Sequence, residues 1–209
     1  MRSISGADIY GITSEEHSLG RDNITVVKAM IDAGITLIQY REKEKTMLEK
    51  YRQCEALRQL TKDAGVIFII NDHVGLAMAM EADGIHVGQD DMPVPVVRQL
   101  VGESMIIGLS THSPAQAAAA VESGADYIGV GPIFTTQTKK DVCDAVGLTY
   151  LDHVVTAQKI PFVAIGGIKE HNIDDVRKRG AETIALVTEI VGADNISKQI
   201  AMIRRILAG

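Results

Sequence analysis

The stretch Ala82-Asp83-Gly84-Ile85-His86-Val87-Gly88-Gln89-Asp90-Asp91 contains the pattern that decides the fold. A helical segment ends at a glycine, a short aliphatic run follows, and that run ends in polar residues. Glycine just past a helix adopts the left-handed conformation that stops the helix. The same order of helix end, glycine and aliphatic run recurs at Gly34, Gly65, Gly124 and Gly180. A repeated unit of this kind predicts alternating helices and parallel strands.

Eight such runs are predicted to be strands, and several are apolar without alternation, as expected for strands buried on both faces. They cover residues 9–12, 35–41, 66–70, 84–87, 105–109, 127–131, 162–166 and 184–187. Helices fill the gaps; one is indicated by an apolar stripe at three-residue spacing, formed by Leu48, Tyr51, Cys54, Leu57 and Leu60. Eight strands and eight helical segments predict a single (β/α)8 TIM barrel domain over residues 1–209. The alternative is an open doubly wound sheet, which is disfavoured because no Gly-x-Gly-x-x-Gly follows the first strand.

Composition restricts the class of protein. The net charge of −6 argues against a surface that binds nucleic acid or an anionic membrane. No apolar stretch approaches the roughly 20 residues that span a bilayer, and the N-terminus does not resemble a signal peptide. Two isolated cysteines, Cys54 and Cys143, fit a reducing compartment. A cytoplasmic protein is therefore expected.

In a barrel, the polar residues after each strand meet at one mouth. Gln39, Arg41 and Lys43 follow the second strand at a spacing of two, so their side chains are expected to share a face. This arrangement offers an amide and two cations to an anionic ligand. The alternative interpretation is a solvated strand end.

Carboxylates follow the third and fourth strands, at Asn71-Asp72 and Asp90-Asp91. Mg²⁺ typically takes one or two carboxylates together with substrate phosphate and water oxygens, and the neighbouring cations could hold such phosphates. Asp72 and Asp91 are therefore predicted to bind magnesium. The alternative is helix capping, for which aspartate is also well suited. Asp90 is interpreted as a helix cap or as a solvated neighbour.

The remaining strand ends carry hydroxyls, glycines and lysines. Ser110 ends the fifth strand without a recognisable catalytic partner, and His86 is interpreted as a histidine satisfied within the core. The segment after the sixth strand, which includes Thr136, Thr138 and Lys139, suits a loop that closes over an anion, although an exposed polar loop is the alternative. The loops after strands 7 and 8 of barrels often bind phosphate through backbone N–H groups. The candidates there are Gly166-Gly167 and Val187-Thr188.

Taken in order, these motifs resemble the thiamine-phosphate synthase family over about residues 8–190. The matching segments are Gln39–Lys43, Asn71-Asp72, 82–92, 108–110, 124–134, 136–141 and 164–168. Each motif alone is weak, whereas all of them in order are highly specific. The chain departs from the family at Thr135, where many members have proline, and at Thr188, where serine is frequent.

The resemblance implies an enzyme that joins an aminopyrimidine-methyl diphosphate to a thiazole phosphate and releases pyrophosphate, with Mg²⁺ as cofactor. It implies that Arg41, Lys43, Asn71 and Lys139 hold the diphosphate, and that Asp72 and Asp91 hold the metal. Gln39 and Ser110 would contact the pyrimidine or the reaction centre. The residues implied for the thiazole phosphate are Thr136, Thr138, Gly167, Val187 and Thr188. The expected partners are the two small-molecule substrates and, in a homo-oligomer, further copies of the chain.

Three alternatives remain open at this point. A sister enzyme, the thiazole tautomerase, has a similar fold but carries histidine at the position of Pro132 and lacks the paired aspartates. A barrel enzyme acting on a sugar phosphate would not need the anion-binding cluster on strand 2. A catalytically silent regulator would keep the phosphate site without the dependence on metal.

Overall fold

The computed structural model describes residues 3–138 and 143–209. Within them, eight parallel strands pair in sequence order into a closed barrel, in which β8 returns to β1 through the pairing of Ile184 with Ile9. This confirms the predicted (β/α)8 TIM barrel and excludes the open sheet. The strands are β1 (Ile9–Ile12), β2 (Leu37–Tyr40), β3 (Ile67–Asn71), β4 (Gly84–Val87), β5 (Ile106–Thr111), β6 (Tyr127–Val130), β7 (Phe162–Ala164) and β8 (Thr183–Leu186).

Helices follow the strands and surround the barrel. They are α1 (Asn23–Asp32), α2 (Met47–Asp63), α3 (Val74–Ala79), α4 (Val94–Val101), α5 (Pro114–Glu122), α6 (Gly147–Ala157), α7 (Ile173–Lys178), α8 (Thr188–Val191) and α9 (Ile196–Ala208), with a short 3-10 turn at Glu15–His17. Within the described residues, no helix has the length and apolar character needed to cross a membrane.

The core has two layers, which explains why the strands lack alternation in hydrophobicity. The larger layer lies between the strands and the helices and contains Ile9, Ile38 and Phe68. The smaller layer fills the barrel and contains Tyr10, Leu37 and Ile69. Because neighbouring residues of one strand point into different layers, both faces of the strand must be apolar.

The glycine rule used for the helix ends holds at four of its five positions. Positive φ angles of 80°, 68°, 82° and 99° occur at Gly34, Gly65, Gly124 and Gly180. The prediction was wrong at Gly84, which lies inside β4, while the left-handed residue after α3 is Glu81, with φ 46°. A Cβ on Gly84 would lie 2.5 Å from Ile69 Cδ1 and 2.7 Å from the Ile106 carbonyl oxygen. This glycine is therefore explained by close packing inside the barrel.

The apolar stripe predicted for α2 was only partly right. The buried positions of the helix are Lys50, Cys54, Leu57 and Thr61, whereas Leu48 and Tyr51 are exposed. Three residues turn an α-helix by about 300°, so each step of three drifts roughly 60° around the axis. A stripe that keeps this spacing over four steps cannot stay on one face.

Candidate active site

A cavity of about 1500 Å³ opens at the carboxyl ends of the strands. Its lining brings together all of the described residues that the sequence analysis assigned to the site. They are Gln39, Arg41, Lys43, Asn71, Asp72, Asp91, Ser110, Thr136, Thr138, Gly167, Val187 and Thr188. Lys139, the remaining candidate, lies outside the described residues.

One side of the cavity is cationic. Gln39 is buried inside the barrel, and the side chains of Arg41 and Lys43 continue along the same wall towards the rim, as the spacing of two predicted. The backbone N–H of Arg41 donates to Thr13 Oγ1 over 2.9 Å, which fixes the chain just beyond β2. Burial lowers the pKa of the Arg41 guanidinium against the opposing effect of the Asp72 charge. A partly desolvated guanidinium of this kind is well suited to bind a phosphate in two-pronged geometry.

Asp72 and Asp91 meet beside these cations. Lys43 Nζ donates to Asp72 Oδ2 over 2.5 Å, and Asp91 Oδ2 accepts the N–H of Gly88 over 2.7 Å. Burial works against ionisation of Asp72, but the Lys43 ammonium outweighs it and the pKa of Asp72 is lowered. Burial and the neighbouring Asp72 carboxylate raise the pKa of Asp91. Two interacting carboxyl groups with opposite pKa shifts form a pair that a cation would stabilise.

The helix-capping alternative for this pair is wrong. The residues at the N-cap positions of α3 and α4 are His73 and Pro93. Asp72 instead adopts the left-handed conformation, with φ 60°, which is uncommon for a residue other than glycine. Among the described residues, no group of three or more His, Cys, Asp or Glu side chains could hold a metal ion. Two carboxylates beside cations are a donor set that would fit Mg²⁺, because this ion usually takes one or two carboxylates together with substrate and water oxygens.

The opposite side of the cavity is built around paired glycines after β7. A Cβ on Gly166 would lie 2.4 Å from Pro132 Cβ, and one on Gly167 would lie 2.6 Å from the Thr135 carbonyl oxygen. The loop after β6 therefore lies directly on the glycines, and its Thr136 and Thr138 hydroxyls contact each other over 3.1 Å. Glycines without side chains and two threonine hydroxyls therefore face the cavity together, and such groups suit a phosphate.

Sequence reasoning missed Lys169 on this side. Its Nζ donates to Thr188 Oγ1 over 2.7 Å and forms an ion pair with Glu189 at 3.1 Å. Lys169 is also part of the cavity lining. The sequence did contain a signal for this residue, because a lysine three positions after the end of the predicted seventh strand lies close to the mouth of the barrel.

The floor of the cavity is a chain of polar side chains inside the barrel. Gln39 Nε2 donates to the Tyr10 hydroxyl over 2.9 Å, and the hydroxyls of Tyr10 and Tyr127 are 3.0 Å apart. His86 contacts the Tyr127 hydroxyl through Nδ1 and Ser110 Oγ through Nε2, each over 2.9 Å. His86 thus has the hydrogen-bond partners expected of a satisfied histidine, but it also lines the cavity. The two tyrosines were not predicted to belong to the site.

Known proteins resemble this chain over nearly its full length. The sequence profile of the family described as thiamine monophosphate synthase matches residues 9–190. A thiamine-phosphate synthase of Pelotomaculum thermopropionicum is 62% identical, over 99% of this chain and 96% of its own. One of Lawsonia intracellularis is 54% identical, over 95% of this chain and 92% of its own.

A solved structure agrees with these sequences. The thiamine phosphate pyrophosphorylase from Pyrococcus furiosus superposes with a TM-score of 0.88 at 34% identity, covering 97% of this chain and 96% of the other. Fold, order of motifs and identity over the whole length lead to the same result. The chain belongs to the thiamine monophosphate synthase family of transferases.

Proposed function

We propose that the protein is a Mg²⁺-assisted thiamine-phosphate synthase. It joins 4-amino-2-methyl-5-pyrimidinylmethyl diphosphate to a thiazole phosphate and releases pyrophosphate. The observation that supports the proposal is that two walls of one cavity carry groups suited to bind anions. Arg41, Lys43 and a carboxylate pair form the first, and the paired glycines with the Thr136 and Thr138 hydroxyls form the second. A reaction between two phosphorylated substrates needs both.

The first wall would hold the diphosphate. Arg41 and Lys43 bind its oxygens as fixed cations, Asn71 adds an amide donor, and Lys139 is assigned to the same group on the family resemblance. Asp72 and Asp91 would hold Mg²⁺, which when bound neutralises charge on the departing diphosphate. These groups stabilise the leaving group most strongly as its charge develops, which is the condition for accelerating the reaction.

The reaction we propose is largely dissociative. The bond between the methylene carbon and the diphosphate oxygen breaks, and its electron pair leaves with the diphosphate. The electron-rich aminopyrimidine stabilises the resulting cation, and the thiazole ring nitrogen then supplies the electron pair of the new carbon–nitrogen bond. No covalent nucleophile from the protein is needed, which agrees with the role of Ser110 as a contact to the pyrimidine.

The second wall would orient the thiazole. Backbone groups at Gly167, Val187 and Thr188 and the hydroxyls of Thr136 and Thr138 would hold its phosphate. The phosphate then fixes the distance of the ring nitrogen from the methylene carbon, which lowers the entropic part of the barrier.

A coupling assay tests this function. Purified protein is mixed with both substrates in the presence of Mg²⁺ or EDTA, and thiamine phosphate is detected after oxidation to fluorescent thiochrome. We expect product that depends on both substrates and disappears with EDTA. Absence of product from a folded protein that still binds thiazole phosphate would favour the silent regulator.

The tautomerase alternative is disfavoured by the cavity itself. Pro132 lines the cavity at the position where that enzyme carries histidine, and a proline side chain cannot transfer a proton. Conversion of the thiazole alone, without a pyrimidine substrate, would contradict this view and would be detected by proton NMR of the thiazole.

A further inference from the structure

The polar chain on the cavity floor has a direction that can be worked out from its donors and acceptors. Burial strongly raises the pKa of Tyr10 and of Tyr127, so each phenol keeps one hydrogen to donate. Tyr10 accepts the Nε2–H of Gln39, and its own hydrogen therefore goes to Tyr127. The hydrogen of Tyr127 must then go to His86 Nδ1.

The direction of the hydrogen bonds at the Ser110 end follows from the same count of donor hydrogens. When Nδ1 of His86 accepts, the ring carries its hydrogen on Nε2, which donates to Ser110 Oγ. No acceptor within residues 3–138 and 143–209 takes the hydroxyl hydrogen of Ser110, so this hydrogen is left for a ligand acceptor. At the near end, the structure assigns no donor to Gln39 Oε1 within residues 3–138 and 143–209, and Gln39 lines the cavity. One continuous chain therefore ends in an acceptor at Gln39 and a donor at Ser110.

Close packing inside the barrel holds the side chains of this hydrogen-bonded series in place. A Cβ on Gly108 would lie 2.2 Å from Tyr127 Cζ and 2.5 Å from His86 Nδ1. The His86 and Tyr127 rings pack with centroids 5.4 Å apart, and the Tyr10 and Tyr127 rings meet edge to face at 6.3 Å. The rings have little freedom to move, so packing fixes the positions of the donor and acceptor atoms, and the count of hydrogens along the chain fixes the direction of the hydrogen bonds.

We propose that Tyr10, Tyr127 and His86 are positioning residues that fix the orientation of the Gln39 amide and the Ser110 hydroxyl. The site thereby selects an aminopyrimidine over the corresponding oxopyrimidine. An aminopyrimidine donates from its exocyclic nitrogen and accepts at its ring nitrogens, which complements Gln39 Oε1 and the Ser110 hydroxyl. In the 4-oxo analogue, the carbonyl accepts and a ring N–H donates, so the polarity is reversed. This inference rests on the function proposed above.

Tyr127→Phe is the variant that separates polarity from shape. It keeps the ring but removes the acceptor for Tyr10, whose hydrogen can then go to Gln39 Oε1. The Gln39 amide is then free to rotate and present Nε2 to the cavity, which suits a carbonyl. Tyr150→Phe is the matched control, because Tyr150 is a buried phenol that donates to Thr111 Oγ1 over 2.7 Å, away from the cavity lining.

The probes are the monophosphates of 4-amino- and 4-oxo-2-methylpyrimidin-5-ylmethanol, used as competitive inhibitors against the diphosphate substrate. The readout is the ratio of the oxo to the amino inhibition constant, because intrinsic differences between the probes cancel when variants are compared. We expect this ratio to be large in the wild type, to fall about tenfold or more in Tyr127→Phe, and to stay unchanged in Tyr150→Phe.

A ratio that stays at the wild-type value in Tyr127→Phe, or falls equally in Tyr150→Phe, overturns the inference even if both affinities weaken. Should Tyr127→Phe fail to fold, Tyr10→Phe gives the same test, since it removes the acceptor that holds Gln39 Nε2. A wild-type protein that makes no thiamine phosphate would instead refute the proposed function, and this inference with it. The two failures are therefore distinguishable.

Discussion

At Asp91, burial and the neighbouring Asp72 carboxylate raise the pKa of the carboxyl group, so a bound cation would favour its ionised form. Asp91→Asn keeps an oxygen that can accept the N–H of Gly88 but removes the charge. We expect the Mg²⁺ concentration that gives half-maximal turnover to rise at least about tenfold, as for loss of one charge-assisted ligand. Thermal stability without metal should be unchanged or higher. Turnover against Mg²⁺ concentration and thermal unfolding are the two measurements.

Asp90→Asn is the control for this prediction, because Asp90 is an exposed neighbour in the same loop. It should leave the dependence on Mg²⁺ nearly unchanged. Equal effects of the two substitutions would show that only the general negative charge of the loop matters and would remove Asp91 from the metal site.

The sequence predicted many residues of the cavity lining, including Gln39 and Ser110 of its floor, but not the two tyrosines between them. Gln39, Arg41 and Lys43 could be grouped because a spacing of two on a strand has a fixed geometric meaning. Tyr10 and Tyr127 could not be grouped, since they lie 117 positions apart and read as ordinary apolar strand residues. Only closure of the barrel brings them together. The roles assigned to the individual site residues, including that of Lys139, remain predictions.

At the scale of elements, the loop after β6 and the turn after β7 form one unit. Backbone N–H groups of Ile133 and Phe134 donate to the carbonyls of Ile165 and Gly166, each over 2.9 Å. Gly167→Ala would place a Cβ against the carbonyl oxygens of Phe134 and Thr135 and displace the loop that carries Thr136. We expect the KM for thiazole phosphate to rise about tenfold or more, with a smaller change for the diphosphate. Steady-state kinetics with each substrate varied in turn provides the measurement.

Gly65→Ala is a matched control, because Gly65 has nearly the same φ, 68° against 65°, but no atom within 4 Å of the added Cβ. It should lower the free energy of unfolding by about 1–2 kcal/mol through left-handed strain alone and leave both KM values unchanged. A similar rise in KM for the two variants would mean that strain, and not displacement of the loop, is responsible.

Element boundaries show where sequence reasoning succeeded. Helix ends at left-handed glycines were predictable because only the local backbone decides them. Gly84 and the buried face of α2 were not, because contacts with other strands and helices decide them. The strand that contains Gly84 was still predicted with its correct bounds, Gly84–Val87.

At the scale of the whole molecule, Arg204 of α9 links the last helix to Asp8, the residue directly before the first strand. Its guanidinium contacts both oxygens of Asp8, at 2.6 and 3.1 Å, and the carbonyls of Ala33 and Gly34, at 2.5 and 2.8 Å. Burial opposes ionisation of Asp8, but the hydrogen bond and charge of Arg204 outweigh it and the pKa of Asp8 is lowered. Stability from this pair is therefore present above the ordinary aspartate pKa of about 4 and lost as the pH falls through the lower, folded-state value.

Asp8→Asn should therefore lower the free energy of unfolding by about 1 kcal/mol at pH 7, a modest figure because the pair is partly exposed. The difference from the wild type should vanish in strong acid. Urea unfolding across this pH range gives both values. Asp152→Asn is the control, since its ion pair with Arg179 is similarly exposed but has no further side-chain bonds to the barrel among the residues that the structure describes. A difference that persists unchanged in acid would show that Asp8 acts through packing and not through its charge.

The two tyrosines on the cavity floor also give the protein an optical signal of its own. The chain has five tyrosines, three phenylalanines and no tryptophan, so emission excited at wavelengths longer than those that phenylalanine absorbs comes from the phenols alone. Tyr10 and Tyr127 line the cavity and are linked to each other. A pyrimidine bound at Gln39 and Ser110, as proposed, would change the surroundings of these two fluorophores, while the other three tyrosines are not part of the cavity lining. Ligand occupancy would then be measurable in the unlabelled protein, in real time and before any product forms.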